Sequence, residues 1–347
     1  MVILPITLPG TFPERVLTIT TIKDLAKYLN ISVSTVSRAL NNHHDVNQTT
    51  RENVLQAVEK LNYRPNSVAR SLIHKKTYTI GLMVPDIADP FFSSIAVGVE
   101  QTLSNNGYQV IYGNTSRDSL KEKQFLESIL DRKVDGVILT PNILDQESIS
   151  TLEKLEIPRV LLRRRTPALL DIPFIDVDHY GGACKAINHL ISKGHTNIGF
   201  LGMASDSFTS NERLRGYLDT MKKHQLKVSA RNQKTAGRTI ESGSFAMEAL
   251  YRESPDITAV FASNDLIGIG ALEWLKMEQI NVPEQMAVIG FDNLEMSELY
   301  SFQLTTIAQP RKQMGQLAAE LLLRIINEEE NKDSIILETN LIERKTC

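Results

Sequence analysis

Residues 20–41, TTIKDLAKYLNISVSTVSRALN, predict two short amphipathic helices separated by a break. Thr21 followed by Asp24 is the N-cap signature of a first helix, and Asn30 ends it. Ser32 can cap the second helix. The apolar residues of the first helix recur at helical spacing and form one face: Ile22, Leu25, Ala26 and Leu29. The segment therefore has the pattern of a helix-turn-helix.

The second helix has an apolar face and a face of small or polar residues. The inward residues are Val36, Ala39 and Leu40, and the outward ones are Val33, Ser34, Ser37, Arg38 and Asn41. Small side chains with one arginine that can fork onto guanine suit a recognition helix in the DNA major groove. An ordinary helical hairpin with a solvated face has the same pattern. A third helix, about Asn47 to Leu61, is expected to close the core with Val54, Val58 and Leu61.

A second signal, NYRPNSVARSL, follows at residues 62–72. Pro65 ends the third helix and Asn66 can cap another. The segment Ser67–Ile73 is shorter than the ~12–15 residues that an isolated helix needs, so it should order only when something holds it. Leu72 among basic residues is the composition of a wedge that opens a base step in the minor groove. The alternative is a plain interdomain linker with Leu72 packed on the core.

Leu72→Ala should weaken binding to a specific site more than binding to random DNA. A wedge contributes mainly where the duplex is kinked, and non-specific binding depends on phosphate contacts. Gel-shift titrations with an operator and with a scrambled duplex measure both affinities. Equal losses on the two duplexes would contradict the wedge.

Three blocks of the chain resemble the lactose and galactose repressor family of bacterial transcription regulators: TIKDLAKYLNISVSTVSRALN, NYRPNSVARSL and TIGLMVPDIADPFF. The resemblance runs from about Thr20 to the C-terminus. It implies DNA contacts at Thr21, Ser32, Val33, Ser34, Ser37, Arg38, Asn41, Asn47, Thr50, Asn66, Ala69 and Leu72. Val33 and Ser34 occupy the two positions that most vary operator preference in this family, and a valine can contact a thymine methyl group.

Charge is unevenly divided along the chain. Residues 19–76 carry nine Lys/Arg and four acids, a net +5, whereas residues 77–347 carry a net −8. A basic head on an acidic body suits one surface for phosphates and a body that avoids them. The apolar opening at residues 1–18 has no basic start and contains Pro5 and Pro9, so it is a poor signal peptide. It is expected to be a disordered extension, with a misplaced start codon or a cloning remnant as alternatives.

From Tyr78 onward, short β-rich runs alternate with helical stretches, which predicts an α/β fold with parallel sheets. The expected fold is an all-α helix-turn-helix headpiece followed by a body of two subdomains that resembles the periplasmic binding proteins. That resemblance implies crossings between the subdomains near Asp176, Ala308 and Asp333. The expected divisions are an extension over 1–18, a DNA-binding domain over 19–65, a hinge and linker over 66–77, and an effector-binding and dimerisation domain over 78–347. Within the last, the N-subdomain covers about 78–176 and 308–333, and the C-subdomain covers 177–307 and 334–347.

Ligands of such sheets bind outside the carboxyl ends of the strands, so the cleft between subdomains is the expected pocket. Asp89, Phe91 and Phe92 follow the first strand, and the two phenylalanines are either core residues or a face for a ring. The family resemblance implies that three further residues line this site and hydrogen-bond hydroxyl groups: Arg215, Asn264 and Asp292.

The unusual feature of the expected pocket is its arginines. Strand alternation would place Arg163 and Arg165 on the same side, and Arg238 and Arg311 come from other segments that can reach the cleft. The family often has an acid or a small polar residue at the position of Arg163. Arginines buried around a neutral sugar would be costly, and a carboxylate or phosphate on the effector removes that cost. The alternative is a solvated rim in which residues 163–165 pair with Asp171, Asp176 or Asp178.

Two other classes of protein are less consistent with the sequence. A sugar-binding protein without DNA function would lack the helix-turn-helix. An enzyme would need a catalytic motif, and the sequence has no nucleophile elbow, no P-loop and no cluster of residues at metal-ligand spacing. The fragment GIG at 268–270 lacks the third glycine of a dinucleotide-binding fingerprint. We therefore expect no catalytic residue, no cofactor and no metal. His179, His189 and His195 are expected to be surface or structural residues.

The expected partners are double-stranded operator DNA, a small carbohydrate effector that is neutral or anionic, and a second copy of the chain. A two-fold dimer matches a palindromic operator. A dimer is expected rather than a tetramer, because the sequence shows no heptad helix at the C-terminus. Some relatives use a phosphorylated carrier protein as corepressor, but no feature of the sequence demands one. No apolar run approaches the ~18 residues of a membrane span, so a cytoplasmic, nucleoid-associated bacterial protein is expected.

Overall fold

The computed structural model describes residues 21–63, 76–142, 146–165, 172–203, 208–330 and 332–347. The chain divides after Thr77 into two compact units, a headpiece and a body. The expected extension over 1–18 and most of the expected hinge, with Asn66, Ala69 and Leu72, lie outside the described residues.

The headpiece contains the predicted helix-turn-helix and third helix: α1 (Ile22–Leu29), α2 (Val33–Leu40) and α3 (Gln48–Lys60). The N-cap of α1 is confirmed as a capping box, since the Asp24 carboxylate accepts from Thr21 N at 2.8 Å and Thr21 Oγ1 accepts from Asp24 N at 3.3 Å. Asn30 ends α1 in the left-handed conformation, with φ at 53°. These local signals fix where the two helices begin and end.

The apolar faces of the three helices pack on one another as predicted. Leu25, Val36 and Val54 are fully buried at the centre of the headpiece. The sequence did not predict Tyr63, which follows α3 and is also buried in this core. The caps and the apolar spacing are both local signals. The fold of the headpiece therefore follows largely from the sequence of residues 21–63.

The body alternates strands with helices. In chain order, its elements are β1 (Thr79–Val84), α4 (Pro90–Asn105), β2 (Gln109–Asn114), α5 (Ser119–Asp131), β3 (Gly136–Leu139), α6 (Gln146–Glu153), β4 (Arg159–Leu162), β5 (Phe174–Val177), α7 (His179–Ser192), β6 (Ile198–Met203), α8 (Phe208–Lys223), β7 (Gln233–Ala236), α9 (Ile240–Glu253), β8 (Ala259–Ala262), α10 (Asp265–Met277), β9 (Ala287–Asp292), β10 (Thr305–Ala308), α11 (Arg311–Ile326), β11 (Ile335–Leu337) and β12 (Asn340–Ile342). Short 3-10 turns at Ala230–Asn232 and Glu295–Glu298 complete it.

These strands form two sheets, as the alternating pattern predicted. The first has the order β11-β5-β4-β3-β1-β2, and all its pairs are parallel. The second has the order β12-β10-β9-β8-β6-β7 and is parallel except for the β10–β12 pair. Each sheet is the centre of one subdomain, and the strands are buried because helices cover them.

The chain crosses between subdomains three times, and one crossing differs from the expectation. It crosses after β5 and after β10, close to the expected Asp176 and Ala308. The third crossing was expected near Asp333 but lies between β11 and β12, after Leu337. The segment IILETNLI looks like one strand in sequence, but its two halves pair with different sheets. Strand alternation does not reveal such a change of partner.

Candidate functional site

The polar face of α2 is exposed, as a reading surface requires. Val33, Ser34, Arg38 and Asn41 are exposed, and Ser37 is half-buried beside them. Val33 retains 40% of its accessible surface, which is high for a valine in a folded domain. The face has the size and chemistry to approach base edges.

Arg38 is held in place by an acidic residue beyond the end of α2. Its guanidinium donates to the Asp45 carboxylate at 2.8 Å and to the Ser34 carbonyl at 3.4 Å. His43 Nδ1 lies 2.7 Å from the other Asp45 oxygen. The Arg38 side chain is 48% exposed, so it reaches solvent from an oriented position.

Three residues of the expected DNA-contact set are engaged as helix N-caps. Thr21 caps α1, Ser32 Oγ accepts from Thr35 N at 3.1 Å, and Asn47 Oδ1 accepts from Thr50 N at 2.7 Å. Thr50 lies in the first turn of α3 and is half-buried. Helix N-termini favour phosphate groups because their free N–H groups and the helix dipole both attract negative charge.

The body holds a cavity at the carboxyl ends of both sheets' strands, where ligands of parallel sheets bind. The first subdomain contributes Asp89, Phe91, Phe92, Arg117, Arg163 and Arg164, and the second contributes Met203, Thr209, Arg213, Arg238, Asn264 and Asp292. The space between these side chains is about 30 Å³. Small-molecule sites usually have ~300 Å³ or more, so the cleft must open or its arginines must move before a sugar enters.

Three expected arginines do not line this cavity: Arg165, Arg215 and Arg311. Strand β4 ends just before Arg163, whose backbone turns into the left-handed region with φ at 58°, so strand alternation no longer governs Arg165. Arg165 instead pairs with Asp176 at 2.8 Å. This pair is one of those expected under the alternative in which the arginines form a solvated rim. Arg311 pairs with Glu295 at 3.1 Å and also lies outside the cavity lining.

Arg213 lines the cavity in place of the expected Arg215. Both are on α8, but residues two apart on a helix face different directions. Arg213 shares the buried face with Gly216 and Tyr217, whereas the Arg215 side chain is 56% exposed and pairs with Glu212 at 2.7 Å. The available sequence signal was helical spacing, because Tyr217 and Met221 follow Arg213 at four and eight residues and place it on their apolar face.

Arg213 and Asp292 form a buried ion pair at the floor of the cleft. Arg213 is fully buried, donates to Asp292 Oδ1 at 3.3 Å and to the Ser263 carbonyl, and lies 3.7 Å from the ring centroid of Phe291. Burial raises the pKa of Asp292 to about 7, although Arg213 opposes this. Burial also lowers the pKa of Arg213 to about 10.

His179 links this pair to the first crossing segment. Arg213 donates to His179 Nδ1 at 3.3 Å, so the proton of the ring lies on Nε2, which donates to Asp176 at 3.1 Å. Burial lowers the pKa of His179 to about 4, which keeps the ring neutral. Burial alone would raise the pKa of Asp176, but the electrostatic interaction with His179 and the hydrogen bonds from His179 and Arg165 outweigh it and hold that pKa at about 2. His179 is therefore fully buried and structural.

Phe91 and Phe92 are core residues, one of the two roles that the sequence left open, and their use as a face for a ligand's ring stays a prediction. Each is almost fully buried in the core of the first subdomain. Each also presents a ring to the Arg163 guanidinium, whose central carbon lies 4.1 Å from the Phe91 centroid and 5.2 Å from that of Phe92. Asp89 caps α4 and lies 3.7 Å from Arg117, a cavity residue that the sequence did not suggest.

Two family models together match most of the chain. The model for "Bacterial regulatory proteins, lacI family" matches residues 21–66. The model for "Periplasmic binding proteins and sugar binding domain of LacI family" matches residues 77–345. This chain belongs to the LacI family. The LacI-family assignment confirms the predicted fold of a helix-turn-helix headpiece and a periplasmic-binding-protein-like body.

Relatives of this LacI-family chain align over nearly their whole length. Catabolite control protein A of Priestia megaterium is 33% identical, over 91% of this chain and 95% of that protein. The HTH-type transcriptional repressor CytR of Escherichia coli (strain K12) is 35% identical, over 88% of this chain and 89% of CytR. The structure of the lac repressor dimer bound to operator and the anti-inducer ONPF has a TM-score of 0.86 and 27% identity, over 94% of this chain and 98% of that one.

Two further properties of this LacI-family regulator concern its described ranges. No helix there has both the length and the apolar character to cross a membrane. In the same ranges, no group of three or more His, Cys, Asp or Glu side chains is placed to hold a metal ion.

Proposed function

We propose that this chain is a transcriptional repressor that binds a palindromic operator as a dimer and responds to a carbohydrate in the cleft of its body. The observation that carries the proposal is a single chain with an exposed reading face on α2 and a polar cavity at the strand ends of the body. The repressor CytR and the lac repressor dimer on its operator, both similar along most of this chain, support the two parts together. Such a protein acts on the nucleoid in the bacterial cytoplasm.

On the DNA side, each protomer would place α2 in one major groove. Val33 and Ser34 begin that helix and would meet base edges, and Arg38 can reach a guanine. The capped N-termini of the three helices suit the flanking phosphates. Two copies related by a two-fold axis would read two inverted half-sites.

On the effector side, Asn264 and the Arg213–Asp292 pair supply donors and acceptors for hydroxyl groups. The Asn264 carbonyl oxygen accepts from Ile267 N at 2.8 Å and so caps α10. Within the described ranges its NH₂ group donates only to the sulfur of Met203 at 3.4 Å, and a thioether is a weak acceptor. This NH₂ group is therefore a donor that a hydroxyl group of a ligand can use.

The test is a selection of binding sites from random duplexes, followed by gel shifts with and without a panel of carbohydrates. We expect enrichment of an inverted repeat and a shift of operator affinity by at least one carbohydrate of the panel. Selected duplexes without any shared sequence would contradict the proposed DNA function. Half-sites that bind as tightly as the full repeat would contradict the dimer.

A further inference from the structure

Among the described residues that line the cleft, positive charges outnumber negative ones. Among the described residues that line it, five are arginines and two are carboxylates. Asp292 is committed to Arg213, and its pKa of about 7 leaves it only partly ionised at neutral pH. Buried cations without counter-charge are costly, so the excess calls for an explanation.

Two of these arginines are already occupied. Arg213 has its pair in Asp292. The Arg164 guanidinium donates to the Arg163 carbonyl at 2.9 Å and to the Asn142 carbonyl at 2.8 Å, which positions the loops at the strand ends. The terminal nitrogens of both arginines therefore have partners within the protein, although Nε of Arg213 is buried without a hydrogen-bond partner.

The other three arginines have donors for which the described part of the chain provides no hydrogen bond. Arg117 lies 3.7 Å from Asp89, a long distance for an ion pair. Arg163 and Arg238 form no ion pair with any carboxylate of the described residues, and Nε of Arg163 is buried without a hydrogen-bond partner. Stacking on Phe91 fixes the plane of the Arg163 guanidinium, so this group is oriented but unsatisfied.

These three arginines come from both subdomains and repel one another. Arg117 follows β2 and Arg163 follows β4 in the first sheet, while Arg238 follows β7 in the second. Burial and the positive charges of Arg238 and Arg163 together lower the pKa of Arg117 to about 10, against the pull of nearby acids. Burial, followed by the charge of Arg163, also lowers the pKa of Arg238. Like charges thus face each other across the cleft.

We propose that Arg117, Arg163 and Arg238 form a subsite for the carboxylate or phosphate group of an anionic carbohydrate. The anion lies between the subdomains and replaces their mutual repulsion with charge-assisted hydrogen bonds, so its acidic group holds the cleft closed. The hydroxyl groups of the same ligand face Asn264 and the buried pair. This inference rests on the proposed effector function and names the class of effector.

The subsite can be tested without knowing the effector, by calorimetric titration of the full-length protein with inorganic phosphate and with sulfate at constant ionic strength. We expect saturable binding with a Kd of roughly millimolar, as befits so small an ion. Arg163→Gln and Arg238→Gln should each weaken it about tenfold or more, since each removes a charged hydrogen bond. Arg215→Gln is the matched control, because it removes an exposed arginine of the body that lies outside the cavity. Absence of saturable binding, or an equal loss in the control, would overturn the subsite.

A second titration distinguishes a carboxylate-bearing from a phosphate-bearing carbohydrate. It also tests the anion subsite separately from the proposed effector function. It compares D-glucose 6-phosphate and D-gluconate with D-glucose, and other sugar phosphates and sugar acids with their neutral parents, while operator affinity is followed in parallel. We expect one anionic class to bind at least about tenfold more tightly than its parents, and that advantage to disappear in the Arg163 and Arg238 variants. A neutral sugar that shifts operator affinity while its acids are inert would refute the subsite and leave the proposed function standing. Anion binding that never changes operator affinity would instead count against the proposed function.

Discussion

Arg213→Met should remove the response to the effector and destabilise the body, while the headpiece keeps its fold. The substitution removes the Arg213 donor from the Ser263 carbonyl and the positive partner from the buried Asp292 carboxylate, which keeps the neutral donor Gln309 Nε2. Breaking a buried pair from one side costs about 3–5 kcal/mol, a large fraction of the stability of a typical domain. Thermal and denaturant unfolding measure the loss, and the headpiece is a separate compact unit whose DNA affinity can be followed below the melting temperature.

The loss in Arg213→Met should grow with pH. Burial already raises the pKa of Asp292 to about 7, and without Arg213 that pKa rises further. A carboxyl group whose folded pKa lies above its unfolded pKa stabilises the fold at low pH, and this stability is lost as pH rises towards the folded pKa. The variant should therefore be closer to wild type at pH 5 than at pH 8, and Asp292→Asn added to it should recover part of the deficit at pH 8.

The matched control for this prediction lies on the same helix. Arg215→Met removes an exposed arginine whose pair with Glu212 is solvent-screened, so unfolding should change by no more than about 0.5 kcal/mol. Similar losses in the Arg213 and Arg215 variants, or an Arg213 deficit that does not change with pH, would show that the buried pair is not the cause.

The contrast between these two arginines shows how far the sequence alone reaches. The family resemblance predicted that Arg215 of α8 lines the cleft. In the structure, Arg213 lies on the buried face of that helix and lines the cleft in its place. The headpiece was predictable because its determinants are local, such as the Thr21–Asp24 box and the αL turn at Asn30. Local sequence patterns predicted less where a strand pairs with, or a side chain contacts, a segment that is distant in sequence.

The body illustrates that limit in two places. The short strands β11 and β12 have the same alternating pattern as a single strand, and only their partners β5 and β10 reveal the third crossing. Arg117 reaches the cleft because the chain turns through the left-handed region after β2, with φ at 62°, and no spacing rule marks such a residue as a ligand contact. The ends of parallel strands were a sound guide to where the cleft lies, but not to every side chain that enters it.

Arg38→Ala should lower affinity for the selected operator by about 5- to 150-fold, or about 1–3 kcal/mol, because a bidentate contact to guanine is lost. Arg38 is the arginine on the exposed face of α2, and Asp45 orients it at 2.8 Å before DNA arrives. Its loss also leaves the Asp45 carboxylate with His43 but without an arginine partner near the phosphates. Fluorescence anisotropy with the operator and with single-base variants of it would locate the base that Arg38 reads, since the variant protein should no longer discriminate at that position.

Two further variants separate base reading from simple charge. Lys27→Ala removes an exposed positive charge from α1 and should have the smaller effect on the operator, with no change in base preference. Asp45→Asn keeps Arg38 but removes the neighbouring negative charge, so it should raise affinity for random DNA and relax specificity, because Arg38 is then less firmly oriented. In the contrary outcome, Arg38→Ala weakens binding to operator and random DNA equally and reduces the slope of log affinity against log salt concentration by ~0.9, the value for one phosphate contact. That result would show that Arg38 binds a phosphate and that the other exposed side chains of α2 discriminate between sequences.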